Sequence, residues 1–226
     1  MTKRQRGGLC GFLTLALLVL ATVPLVSSCS LTPLTRTIGQ AFSKGPGVAS
    51  APTNPAFRYL RVVNDGREAL MVLGYLDPHP NGPIETWYSS AGEVIRMQNG
   101  RIISTAGLSL DWRAVRFESL PSWKTTLEGG APMSFVRERD EMPGYRFGVR
   151  ETLIVRPSSV PNRPNLLGIS PASLSWYEES IRELPSYPLA RYGVRFRGEE
   201  AQVVYAEQCL SLSLCIAWQL WPADRL

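Results

Sequence analysis

The chain has 226 residues, with 24 lysines and arginines against 19 acidic residues, one histidine and four cysteines. That length and an apolar fraction of 44% exclude a disordered chain, a collagen-like repeat and a polytopic membrane protein. The formal charge of +5 invites a nucleic-acid or membrane-surface reading, while a lone histidine leaves acid–base catalysis poorly supplied.

Residues 1–28 read as an export signal. Lys3, Arg4 and Arg6 precede an uncharged stretch from Leu9 to Val26, densest between Phe12 and Ala21, and Val26-Ser-Ser-Cys29 follows. A basic start, an apolar run of about ten residues and small residues before a cleavage point are the signature of secretion. Pro24 and the shortness of the apolar run argue against an uncleaved transmembrane anchor. The cysteine straight after the small residues resembles the lipobox of bacterial lipoproteins. That resemblance implies palmitate-type acyl chains on Cys29, which becomes the first residue after cleavage. With Ser30 next to it, it also implies sorting to the periplasmic face of the outer membrane. Such chains bury enough methylene groups to hold a soluble domain on a bilayer. Cleavage removes three basic and no acidic residues, leaving 21 against 19 and a charge of +2. The nucleic-acid reading thereby loses its support.

Residues 29–56 read as a lipidated N-terminus and flexible tether, with one short helix expected over Thr35–Phe42 and a Gly/Pro-rich spacer from Lys44 to Pro55. From residue 57 to 226 the pattern is β. Phe57–Val63 and Glu68–Leu76 flank Asn64-Asp65-Gly66, a hairpin-turn signal. The segment from Asp77 to Pro83 is a loop. Ile84–Ser89 and Glu93–Met97 form a second hairpin, and Asn99-Gly100 turns into Arg101–Thr105. Trp112–Phe117 alternates like a strand. Pro121 to Pro143 is expected to be irregular, with the balanced run Arg137-Glu-Arg-Asp-Glu141 as a solvated loop or hairpin tip. Tyr145–Val155 is a long strand, and the proline-rich stretch from Pro157 to Pro171 cannot lie inside a sheet. Ser173–Leu184 fits a short helix or a strand, and Tyr192–Arg197, Glu200–Glu207 and Cys215–Leu220 close the chain as strands. Roughly ten strands at short spacing predict an all-β antiparallel meander forming a sandwich, barrel or half-barrel, with one or two short helices.

Chemistry-bearing motifs are sparse. His79 lies in a Pro/Gly loop, and there is no nucleophile elbow, phosphate-binding glycine loop or metal-ligand spacing, so no catalytic residue, metal or cofactor is expected beyond the lipid. The acidic neighbours Glu178-Glu179 and Glu199-Glu200 point to opposite faces of a strand and make no acid–base pair. Cys209 and Cys215 are the thiols left after Cys29 is lipidated and Cys10 removed. Six residues along an extended strand span roughly 20 Å, so a disulfide requires Leu210–Leu214 to fold back; an oxidising periplasm favours that pairing. Trp87, Trp112 and Trp218 fall in strand patterns and read as core. Trp123 and Trp176 flank irregular segments and are the candidates for stacking on a sugar. Arg96 and Arg101 flank a turn, where they either meet an anionic sugar or stand as solvated strand-edge arginines.

The stretch WYSSAGEVIRMQNGRIISTAGL at Trp87–Leu108, with YLRVVNDGREALMVLGYLD at Tyr59–Asp77 and DWRAVRF at Asp111–Phe117, resembles the YjbF/GfcB family of envelope lipoproteins. The resemblance implies a part in exopolysaccharide or group 4 capsule production and supplies no catalytic residues. The expectation is a non-enzymatic accessory lipoprotein that binds glycan or proteins of the export machinery, and no nucleic acid. A half-barrel carrier of lipid or lipoprotein acyl chains and an envelope glycan hydrolase are the alternatives.

Overall fold

The computed structural model describes residues 47–225, which form twelve β-strands and one short α-helix. The strands are β1 (Tyr59–Asn64), β2 (Arg67–Asp77), β3 (Ile84–Ser89), β4 (Val94–Gln98), β5 (Arg101–Ala106) and β6 (Asp111–Glu118), then β7 (Met133–Met142), β8 (Arg146–Ser158), β9 (Ser175–Ile181), β10 (Ala190–Arg197), β11 (Glu200–Ser211) and β12 (Leu214–Trp221). The helix α1 (Trp123–Gly129) lies between β6 and β7. The expected signal peptide, the lipidation site Cys29 and the helix over Thr35–Phe42 lie outside the described residues.

The sheet runs β5-β4-β3-β2-β1-β12-β11-β10-β9-β8-β7-β6. Each strand except β5 pairs antiparallel with the next in sequence, and β1 pairs with β12, so the meander curls back on itself. Asp65-Gly66 and Asn99-Gly100 occupy left-handed backbone (φ 48° and 71°, 49° and 76°), as two-residue hairpin turns require. The two edges, β5 and β6, lie side by side. Trp112 N donates to Thr105 Oγ1 at 3.0 Å and Ser104 Oγ to the Arg113 carbonyl at 3.1 Å. Thr105 Oγ1 in turn donates to Asp111 Oδ1 at 3.0 Å. Side chains thus close the seam of a nearly complete barrel and cover edges that would otherwise template association.

Period-2 alternation gives the barrel two unlike faces. Val62, Trp218, Ala206, Tyr192 and Tyr177 stand in register across β1, β12, β11, β10 and β9 and face the core. One residue along each strand, Arg61, Gln219, Tyr205, Gly193 and Trp176 form a parallel row on the outer face. The proline-rich segment 159–174 lies along this outer row as a strap. Arg61 donates to the Asn165 carbonyl and side-chain oxygen at 2.8 and 2.7 Å, and Asn165 N donates to Tyr205 Oη at 2.9 Å. Gln219 pairs with both backbone groups of Leu167, and Trp176 Nε1 donates to the Pro171 carbonyl at 2.8 Å. Gly193 admits the strap: a Cβ there would sit 2.9 Å from Leu174 Cδ1.

Two segments depart from expectation and one left open between helix and strand is resolved. The run from Arg137 to Glu141 is no solvated tip but the middle of β7, with Arg137, Arg139 and Glu141 buried. The ambiguous segment after Ser173 is the strand β9. The last part of the expected tether is docked on the domain. Val48 is buried and donates its N–H to Glu68 Oε2 at 3.1 Å, and Asn54 N donates to Tyr59 Oη at 2.9 Å. Residues 48–54 therefore run from the β1–β2 hairpin end back to the start of β1.

Candidate functional site

The barrel interior holds charge as well as apolar side chains. Glu151 accepts from Arg137 Nε and Nη2 at 2.9 and 2.6 Å and from Arg139 Nε and Nη2 at 3.1 and 2.9 Å. Burial alone would raise the Glu151 carboxyl, but the hydrogen bond from Arg139 and the charges of both arginines hold it below the ordinary carboxylate value. Arg139 also pairs with Glu141. Arg137 and Arg139 lie over the Trp112 ring, 4.7 and 5.4 Å from its centroid. Nearby, Arg101 Nε donates to Glu179 at 2.9 Å. These carboxylates are committed to arginines and shut off from solvent, so they cannot act as the exposed acid–base pair a hydrolase needs. Trp87, Ile95, Met97, Ile102 and Trp218 belong to the buried hydrophobic core.

This interior claims residues that the sequence placed elsewhere. Trp123 is not an exposed sugar platform. It projects from α1 into one end of the barrel, is 4% exposed, donates Nε1 to the Asn99 carbonyl at 3.1 Å and packs on Tyr177 and Tyr192. Arg101 starts the edge strand β5 but is not solvated: it is 2% exposed, with its guanidinium 4.1 Å from the Trp123 ring centroid. Trp176 is buried beneath the strap. Arg96 is at the surface, 3.6 Å from Asp77. Irregular sequence around a tryptophan signals a covering segment as readily as an exposed ring.

Cys209 and Cys215 face each other across β11 and β12 with sulfurs 2.02 Å apart. The fold-back needs only the turn residues Leu212 and Ser213. Adjacent acids do split between faces: Glu178 pairs outward with Arg156, and Glu179 inward with Arg101. His79 is tied to the end of β4, with Nδ1 2.7 Å from Gln98 Nε2.

The α1 plug closes only part of its barrel end. Beside it opens a groove of about 500 Å³, where β1 begins, β10 turns into β11 and β12 ends. Arg58, Arg197 and Arg225 line it together with Phe57, Tyr59 and Trp221. Gln202 and Leu220 form its floor and also line a second pocket of about 210 Å³, bounded by Glu85, Asn99 and Trp218. Arg58 is held by Glu85 at 2.6 Å and lies over the Trp87 ring at 5.7 Å. Among the described residues, Arg197 and Arg225 have no carboxylate within ion-pair distance, and the indole N–H of Trp218 has no hydrogen-bond partner. Aromatic faces, cationic forks and free donors are the groups that bind sugars and anions. None of these groove residues stood out in sequence, because they come from opposite ends of the chain and meet only through the β1–β12 pairing.

The family model described as group 4 capsule polysaccharide lipoprotein gfcB, YjbF, matches residues 51–209. The chain belongs to the YjbF family. It is thus one of the lipoproteins linked to group 4 capsule polysaccharide. Its fold is shared with a solved structure of the hypothetical lipoprotein YmcC from Escherichia coli (K12), at a TM-score of 0.52 and 14% identity over 76% of this chain and 90% of that one. No curated protein matches the chain significantly. The family match extends from the docked N-terminal segment to Cys209, so the groove of this YjbF-family protein combines matched residues, Arg58 and Arg197 among them, with Trp221 and Arg225 beyond the match.

Proposed function

We propose that this YjbF-family chain is an outer-membrane lipoprotein, anchored through Cys29 with its β-domain in the periplasm, that assists capsule or exopolysaccharide assembly without catalysing a reaction. It acts by holding glycan at the barrel mouth. The observation that carries the reading is the open groove in which two arginines lacking carboxylate partners among the described residues stand beside Phe57, Tyr59 and Trp221. Family membership supplies the polysaccharide context, and the lipobox-like run ending in Cys29 supplies the anchor.

The test is deletion of the gene and measurement of surface polysaccharide, followed by complementation with the wild-type chain and with an Arg197→Ala/Arg225→Ala variant. Loss on deletion, restored by wild type and not by the variant, is the expected result. Unchanged polysaccharide on deletion would overturn the reading. Cys29→Ala is expected to move the protein from the membrane to the soluble fraction; retention with membranes would overturn the anchoring.

A further inference from the structure

Resting on that reading, we infer that the mouth recognises an acidic glycan through two subsites, the outer for a charged group and the inner for a neutral, hydroxyl-bearing sugar ring. The outer groove gathers three cations. Arg58 is neutralised by Glu85 at 2.6 Å, whereas Arg197 and Arg225 are exposed and lack a carboxylate partner among the described residues. Two guanidinium groups beside an open groove are matched in charge by a carboxylate or a phosphate, each of which accepts bidentate hydrogen bonds from arginine. The aromatic side chains lining the same groove offer faces for the apolar side of a pyranose.

The inner pocket has a different character. At about 210 Å³ it is less than half the size of the groove, and Glu85, Asn99 and Gln202 supply acceptors and amide donors rather than cations. Trp218, which lines it, carries a buried indole N–H without a partner. That N–H is closed to solvent, so the groups a sugar hydroxyl can meet here are the carboxylate of Glu85 and the side-chain amides of Asn99 and Gln202. Glu85, already engaged by Arg58, disfavours a second anion here. Gln202 and Leu220 belong to both spaces, so a glycan crossing them sets neighbouring sugars in unlike environments.

The experiment uses the full-length protein purified in detergent and capsular polysaccharide of the producing cells, fragmented to oligosaccharides, with affinity read by calorimetry. In one arm the fragments are carboxyl-reduced with carbodiimide and borohydride; in another they are treated with hydrogen fluoride to remove phosphate. One of the two treatments is expected to weaken binding at least tenfold and so to identify the charged group. Arg197→Ala/Arg225→Ala is expected to weaken binding of untreated fragments by a similar factor while leaving binding of the neutralised fragments unchanged. Gln202→Ala, which alters the shared floor, is expected to weaken both. If untreated and neutralised fragments bind equally, the acidic specificity is wrong and glycan binding stands. If no fragment binds, glycan binding itself is wrong.

Discussion

The side-chain amide of Gln219 pairs with Leu167 as though it were a strand, Nε2 donating to the Leu167 carbonyl at 2.7 Å and Oε1 accepting from the Leu167 N–H at 2.9 Å. Gln219 is fully buried, and Leu167 lies in a segment with little secondary structure of its own, so this pair fixes the strap against the sheet. Truncation to Gln219→Ala leaves the half-buried Leu167 N–H and carbonyl without this partner, a cost of about 1–3 kcal/mol in all. The expected result is a lower denaturation midpoint together with new proteolytic cleavage between residues 159 and 170. Gln219→Glu keeps the acceptor and loses the donor, so it is expected to expose the strap as well.

Acid should weaken the barrel through Glu151. Its folded-state carboxyl is held below the reference value of 4.5, so it adds stability above that value, and the contribution is lost as pH falls through the folded-state pKa. Glu68, held down by Arg61 and the Val48 N–H against the effect of its own burial, acts in the same direction. Glu151→Gln leaves Arg137 and Arg139 short of a counter-charge and is expected to cost about 3–5 kcal/mol at neutral pH. Chemical denaturation across pH 3 to 7 should also show a flatter acid limb in this variant than in wild type.

Trp123 is the second lever on stability. Trp123→Ala removes the ring between Arg101, Tyr177 and Tyr192 and the bond to Asn99, and should cost about 3–5 kcal/mol by thermal or denaturant unfolding. Trp176→Phe loses only one hydrogen bond under the strap, so it should leave glycan affinity within error of wild type. A large loss of affinity on that substitution would return Trp176 to the list of sugar contacts.

The Cys209–Cys215 bond closes a short loop around the β11–β12 turn. Loop-closure entropy for so few residues predicts a contribution of about 2 kcal/mol. Replacing both cysteines by serine should lower the unfolding free energy by that amount and leave the circular-dichroism spectrum unchanged. Thiol titration of the denatured, unreduced wild type should find neither cysteine free.

Local signals in the sequence were enough for the hairpins. Asp65-Gly66 and Asn99-Gly100 demand left-handed backbone, and alternation in segments such as Leu60–Val62 set which residues face inward. The charged strand β7 was illegible because Arg137, Arg139 and Glu141 look solvated until Glu151 of the next strand is placed against them. Trp176 was misplaced for a related reason: the strap that covers it reads as a loop free of the sheet. The groove was beyond local reading altogether, since Arg58 and Arg225 become neighbours only when the first and last strands pair.

The path of residues 48–54 along the outer face gives the domain a polarity. Gly47 sits near Glu68 at the hairpin end of β1 and β2, whereas the groove opens at the end where β1 begins. The described segment therefore begins, at Gly47, on the side of the barrel away from the mouth. Under the proposed function, a polymer at the groove and the docked segment's N-terminal end would occupy opposite ends of the barrel, and neither would have to displace the other.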